Sequence, residues 1–346
     1  MNNINKIKFL VLGSGVGGLA IGGDLKSKGE ENFLIIDRCD TLPLNLHNGV
    51  HYLHSNDFGI PFPFELKKIS ATEEIWNPRT NIFKMEANLP EMISYSMKVM
   101  GLRHPSSIMD PNNRSWDVYL PISYNMNDLI QSYYQYIGKE HFLFGENLVA
   151  IDTKHKIVTF NSTKYEGAIY YEYDYLISTI PLNILHSICG LQTDNEFKHQ
   201  TVYITNYKTQ NIVSNWLIGI YISDAKFPPY RITILNNIIS MESIIPLTTI
   251  DEHIIKYHLE EYFDYDLQTK DTYEWTTGRI FGISQMEREK IIERFMDKNI
   301  FLLGRFGLWN GKLLMDSTIV QAHNIVNYVK SVEPINKLEF ITQMSI

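Results

Sequence analysis

Residues 7–23 read IKFLVLGSGVGGLAIGG, and the fold turns on how this run is read. IKFLVL (7–12) is mostly apolar and rich in branched side chains, as in a strand buried on both faces. Gly13-Ser14-Gly15-Val16-Gly17-Gly18 follows, with Gly13, Gly15 and Gly18 at GxGxxG spacing and Gly17 within the turn. The pattern predicts a helix from Val16 to Lys28, stopped by Gly29, and then a second strand, FLIID, ending at Asp37. Gly13 permits the tight turn, Gly15 lets the backbone approach a pyrophosphate, and Gly18 lets the helix pack on the strand. The helix offers free N–H groups and a positive dipole end to phosphates. Asp37 can accept hydrogen bonds from ribose hydroxyls, and Arg38 follows it directly. Strand, turn, helix and acid supply the context that a lone GxGxxG lacks, so a dinucleotide site is expected here.

By hydropathy alone the same run resembles a leader peptide or a membrane anchor. Lys8 interrupts it, glycines load it, and no small-residue cleavage site follows. No other stretch is long and apolar enough to span a bilayer, so a cytoplasmic protein without a membrane partner is expected. The 346 residues include 39 acidic and 31 basic ones, a net charge of −8, with no Lys/Arg block. Proteins that grip nucleic acid through its phosphates show a basic excess or stripe, so nucleic acid is not an expected partner. Cys39 and Cys189 form neither a CxxC pair nor a disulfide framework, which suits a reducing compartment.

Beyond Asp37 the regular βαβ alternation stops. Residues 59–120 are rich in proline, with helical patches around 64–75 and 88–100, and read as an inserted cap rather than a sheet layer. A helix is expected at 126–138, a hairpin with strands at 147–151 and 157–160, and a buried strand in YDYLISTIPLNIL (173–185). Several strands between 200 and 245 read as an antiparallel sheet, followed by helices at 251–262 and 284–296. NIFLLGRFG (299–307) reads as a strand entering a glycine turn. Ser317 is the expected N-cap of a helix reaching Lys330, and the tail after 332 reads as extended and peripheral. The expected fold class is therefore α/β, with a discontinuous Rossmann-like nucleotide-binding domain from residues 1–58, 141–190 and 297–332. Residues 59–140 and 191–296 form the cap and substrate-binding region, and 333–346 the tail. No second GxGxxG marks a dedicated NAD(P)H domain.

Three further stretches resemble the UDP-galactopyranose mutases, and a fourth resembles a wider group. GVHYLHS (49–55) is similar to their GxHxxHT segment, and YRITIL (230–235) to their arginine-bearing strand. GRFGLWNGKLLMDSTIVQA (304–322) resembles their C-terminal GRxGxYxYxDMDxTIxxA motif. YDYLISTIPL (173–182) resembles a segment shared more widely with amine oxidases and protoporphyrinogen oxidases. The resemblance spans almost the whole chain. It implies an FAD domain of glutathione-reductase type, a small helical cap and a substrate sheet. In that family the reduced flavin is the nucleophile, through its N5 atom.

By this resemblance the loop of His51 and His54 crosses the flavin ring, with His54 near N5 and His51 in support. From the residues alone, a structural role for these two histidines stays open. No companion HxxE or Cys cluster accompanies them, so no metal site is expected. Gly304, Arg305, Met315, Asp316 and Ser317 would complete the flavin site, and Leu148 would present backbone groups to adenine. Arg231 would bind a substrate diphosphate, with Trp309 and Asn310 nearby; His54 and Arg231 are the candidate catalytic pair. Asn310-Gly311-Lys312 stands where the family has arginine-tyrosine, and Leu314 replaces the aspartate before the methionine. The resemblance thus implies the cofactor more narrowly than the substrate. The leading expectation is an FAD-dependent, mutase-like enzyme acting on a nucleotide sugar or similar polar small molecule, with an external reductant such as NAD(P)H. The alternatives are a flavin oxidoreductase of amine-oxidase type, which oxidises a C–N or C–C bond, and a non-catalytic flavin-binding scaffold.

Overall fold

The computed structural model describes residues 4–45, 49–58, 65–78, 80, 82–84, 88–99, 115–164, 166–191, 196–224, 226–263, 267–331 and 335–346. The chain opens with β1 (Ile4–Leu12), α1 (Val16–Ser27), β2 (Phe33–Asp37), β3 (Leu66–Asn77), β4 (Ile82–Lys84), α2 (Leu89–Lys98) and β5 (Ser115–Pro121). Next come α3 (Asn127–Ile137), β6 (Phe142–Phe144), β7 (Glu146–Asp152), β8 (Ile157–Ser162), β9 (Ala168–Ser178), α4 (Leu182–Ile188), β10 (His199–Ile222) and β11 (Pro229–Ser243). It closes with α5 (Thr249–Phe263), β12 (Leu267–Ile280), α6 (Gln285–Met296), β13 (Ile300–Leu302), α7 (Gly304–Gly307), α8 (Met315–Lys330) and α9 (Lys337–Ser345).

Two sheets organise these elements. In the first, β6, β2, β1, β9 and β13 lie side by side and all pair in parallel. Numbered by their place in the chain, these five run 3-2-1-4-5, the order of a Rossmann-type sheet. The antiparallel β7–β8 hairpin joins beyond β9, whose outer edge is shared between β8 and β13. The strand order reverses between β1 and β9, and in open α/β sheets ligands bind outside the carboxyl ends of the strands at that reversal. There Thr179, just past β9, donates through its backbone N–H (3.0 Å) and its hydroxyl (2.8 Å) to the carbonyl of Leu12. The site-bearing turn starts at the next residue, Gly13.

The second sheet centres on β10. One edge pairs with β11; the other pairs with β12 along its first half and with β3 along its second. β5 and β4 extend it beyond β3. This corrects two sequence expectations. Residues 64–75 do not form a helical patch: Leu66–Asn77 is a strand, with Ile69, Ala71 and Ile75 buried at period two and partners on both edges. Strand pairing on both sides overrides a charged sequence that also fits helical spacing. The proline-rich region is therefore a sheet layer, helical among its described residues only at α2, and the substrate sheet is mixed, because β10 and β3 run parallel. α2 is fastened to it by Lys98, whose Nζ donates to the carbonyls of Ile222 (3.2 Å), Asp224 (2.8 Å) and Pro229.

The tail is corrected as well. Asn336 caps α9 by accepting from the amides of Leu338 and Glu339, and Phe340, Ile341 and Met344 are buried against the core. Buried Arg288 of α6 holds that helix, donating to the carbonyls of Ser345, Leu308 (3.2 Å) and Ile283 (2.8 Å). Among the described residues, no helix is long and apolar enough to cross a membrane.

Candidate functional site

The glycine turn behaves as its spacing predicts. Gly13 has φ of +98°, a left-handed value, and a Cβ there would run into the Thr179 hydroxyl. A Cβ on Gly18 would collide with the Gly13 carbonyl oxygen, so α1 can lie this close to β1 only with glycine there. Gly17 is also tight: its Cβ would meet Thr318, Leu303 and Thr179 at 3.2–3.3 Å. Gly15 differs. Its φ of −71° and ψ of −175° suit any residue, yet a Cβ there would meet nothing within 4 Å. Open space therefore faces the N-terminus of α1. The first helical bond runs from the Leu19 amide to the Gly15 carbonyl (3.0 Å), and no side chain caps the earlier amides. Uncapped amides beside open space make an anion site.

Asp37 closes this turn. Its Oδ2 accepts from the Ser14 amide (2.7 Å) and hydroxyl (2.8 Å), and its Oδ1 accepts from the Cys39 amide (2.9 Å). A carboxylate has about four acceptor positions, so one is left for a ligand hydroxyl. Arg38 beside it is exposed. The Gly145 amide donates to the Cys39 carbonyl (2.8 Å), so β7, with half-buried Leu148, begins beside the tip of β2.

A second uncapped helix meets the first. α8 begins at Met315, its N-cap is Leu314, and no side chain caps it. Ser317 is therefore not the cap: extended backbone persists to Leu314, so Met315, Asp316 and Ser317 form the first turn. The first helical bond runs from the Thr318 amide to the Leu314 carbonyl (3.0 Å). Thr318 also touches the glycines before it, since a Cβ on Gly304 (φ +78°) would lie 3.2 Å from its methyl. Gly17, Gly304 and Thr318 thus join the start of α1, the end of β13 and the start of α8.

Beyond this junction opens a cleft of about 1400 Å³, lined by His54, Arg231, Arg305, Asn310, Leu314 and residues of the second sheet. The histidine loop reaches it through a two-way backbone bridge between Leu53 and Tyr119 of β5, at 3.0 and 2.8 Å. The structure separates the two histidines. Exposed His54 lines the cleft, whereas His51 stacks on Trp275 of β12 with ring centroids 5.8 Å apart and is not among the lining residues. Among the described residues no three His, Cys, Asp or Glu side chains gather as a metal site.

Arg231 is already engaged. Its Nε (3.0 Å) and Nη2 both donate to Oε1 of Glu242, whose other oxygen accepts from the Tyr230 hydroxyl. Burial works against the Glu242 anion, but the Arg231 charge and the Tyr230 hydrogen bond prevail and hold its carboxyl below the usual range. Burial, then the nearby charge of Arg231, lowers the Arg305 guanidinium from its ordinary value. Arg305 is fixed by an Nε hydrogen bond to the Leu313 carbonyl (2.9 Å). Trp309 corrects the sequence reading. It is fully buried, packed on Phe197 at 5.2 Å between centroids, and is absent from the cleft wall. Its φ of +48° turns the ring into the core while its neighbour Asn310 lines the cleft. Arg279, which no motif marked, also lines the cleft.

No protein-family model matches the chain, and no curated protein sequence matches it. Solved structures do share its fold. Reduced UDP-galactopyranose mutase superposes with a TM-score of 0.70 at 16% identity, covering 94% of each chain. A fatty acid isomerase from P. acnes, which produces CLA, gives 0.60 at 11% identity over 94% of this chain and 99% of its own. A candidate FAD-containing monooxygenase from Photorhabdus luminescens gives 0.52 at 10% identity, over 98% and 94% respectively. The chain therefore has the Rossmann-type α/β fold of these proteins.

Proposed function

We propose that this protein is an FAD-dependent enzyme acting on a polar small molecule held in the cleft. One observation carries the reading: two uncapped helix N-termini meet at the carboxyl ends of a 3-2-1-4-5 sheet. One faces the open space at Gly15, and the other, at Leu314, reaches the cleft wall. This suits a long cofactor with a pyrophosphate on the first helix end and an electron-rich ring edge on the second. FAD fits those demands. Gly13, Gly15 and the α1 amides would hold its phosphates, Asp37 a ribose hydroxyl, and Arg305 with the first turn of α8 the ring. Arg38 and Leu148 lie at the adenosine end.

When bound, flavin supplies a ring nitrogen that can act as nucleophile or exchange a hydride. The chain's own residues prepare the site for it. The α8 end and Arg305 favour negative charge on the ring, and His54 is placed to hold or move a proton at the cleft. Asn310 and Arg231 shape the substrate wall. The sequence resemblance and the TM-score of 0.70 with UDP-galactopyranose mutase favour a redox-neutral, mutase-like reaction on a nucleotide-linked substrate. An oxidoreductase is the second reading, favoured by the shared fold of the candidate monooxygenase.

The test is an absorption spectrum of the purified protein before and after dithionite, followed by titration with UDP and with amines. Flavin bands perturbed by UDP only in the reduced state support the mutase reading. Bleaching by an amine in air, with peroxide released, supports the oxidoreductase. Colourless protein that cannot be reconstituted with FAD refutes both.

A further inference from the structure

Five side-chain cations line the cleft: Arg231, Arg279, Arg288, Arg305 and Lys312. Three side-chain carboxylates line it with them, and each is already in use. Glu242 is bound to Arg231, Glu73 accepts from the Tyr221 hydroxyl, and Asp117 pairs with Lys68 at 2.8 Å. A chain of net charge −8 thus concentrates positive side chains in this cleft.

Arg279 stands out among the five. It makes no ion pair among the described residues, and its Nη1 is buried with no hydrogen-bond partner. An unpaired buried guanidinium nitrogen is costly unless something else meets it. Its position is built rather than incidental. The β10–β12 register jumps between Gln200↔Arg279 and Val202↔Trp275, leaving one residue of β10, Thr201, against three of β12, Thr276, Thr277 and Gly278. Such bulges re-aim a side chain. Gly278 sits within this one, where a Cβ would come within 2.6 Å of Val202. The guanidinium carbon then lies 4.3 Å from the centroid of the buried Tyr230 ring, within cation–π range.

We propose that Arg279 is the seat of an oxyanion on the substrate, phosphoryl or carboxyl, and that Arg231, committed to Glu242, is a positioning residue for that seat. The inference rests on reading this cleft as the substrate site. The chemistry follows from the donors: a planar fork matches two oxygens of a phosphate or carboxylate, with Arg305 and Lys312 lining the same cleft.

The experiment is calorimetric titration of the full-length protein, saturated with FAD, using inorganic pyrophosphate in one arm and succinate in the other. Wild type is expected to bind one of them, and the responding arm assigns the anion as phosphoryl or carboxyl. Arg279→Gln should weaken that binding by about tenfold or more, and Arg279→Lys, which keeps the charge but loses the fork, by about threefold. Two results overturn the proposal: no binding of either probe to wild type, or an affinity unchanged in Arg279→Gln. If that variant does not fold, an unchanged affinity in Arg279→Lys overturns it equally. The cofactor reading fails separately. Protein that retains no flavin yet loses pyrophosphate or succinate binding with Arg279 refutes FAD and keeps the oxyanion seat. Flavin-loaded protein indifferent to Arg279 does the reverse.

Discussion

Gly15→Ala should separate the fold from its cofactor. The backbone at Gly15 is ordinary extended chain, and the added methyl meets no protein atom within 4 Å. The stability cost is confined to exchanging one weak N-cap for another, about 0.5–1 kcal/mol. For 346 residues, with an unfolding entropy of about 2.1 cal/mol/K each, that lowers Tm by only about 1 °C. The same methyl occupies the space over the α1 amides. A hydrogen bond to a charged group contributes about 1.5–3 kcal/mol, so pushing a pyrophosphate off one amide should weaken FAD by about 10–100-fold. Gly18→Ala should do the opposite. Its methyl meets the Gly13 carbonyl, with the carbonyl carbon at 3.0 Å, and forces α1 away from β1 at about 1–3 kcal/mol or more. The assay pairs thermal melts of the flavin-free proteins with FAD titration followed by quenching of flavin fluorescence. Gly15→Ala protein that rebinds FAD with wild-type affinity would show that no phosphate rests on this turn.

Glu242→Gln should cost about 2–3 kcal/mol at neutral pH, less than for a fully buried pair because the Arg231 side chain is 27% exposed. The folded carboxyl of Glu242 lies below its ordinary value, so the pair's contribution is complete above the unfolded value near about pH 4.3 and is lost as pH falls through the folded one. Melts across that window should show wild type losing stability more steeply than Glu242→Gln; parallel curves would contradict the assignment. Trp309→Phe should lower stability by about 1–3 kcal/mol and leave KM unchanged, because the ring belongs to the core; a raised KM at unchanged stability would restore it to the substrate. His54→Ala, at an exposed position, should stay within about 0.5 kcal/mol of wild type and retain flavin. It should lose about 100-fold in turnover, and an unchanged rate would return His54 to a structural role.

The legible parts of this protein are the local ones. Strand, glycine turn, helix and acid each follow from a few adjacent residues, and the structure sets Gly13, Gly18 and Asp37 where the spacing required. β3 is not legible because Leu66, Ile69 and Trp76 also share one face of a helix; pairing with β5 and β10 reveals the strand. α9 is not legible because its stripe of Phe340, Ile341 and Met344 is short and its capping residue, Asn336, stands outside any motif. The place of Trp309 is not legible because sequence position cannot show a left-handed backbone turning a ring inward. The charge economy of the cleft was equally hidden. Glu242 lies 11 positions from Arg231 along β11, on the far side of left-handed Asn236, and Arg279 comes near them only through a bulge in another strand.

Leu176 of β9 pairs with Leu10 of β1 on one side and Ile300 of β13 on the other, so residues from opposite ends of the chain sit abreast. A ribosome adding about 5–20 residues per second makes β13 roughly 15–60 s after β1. Throughout that interval the glycine turn lacks the last helix that covers Gly17, and one edge of β9 has no neighbour at Leu176. The sheet cannot close until codon 302, the end of β13, has been translated. Chaperone demand should therefore persist until β13 is made, and chains cut short ahead of it should be cleared rather than stored.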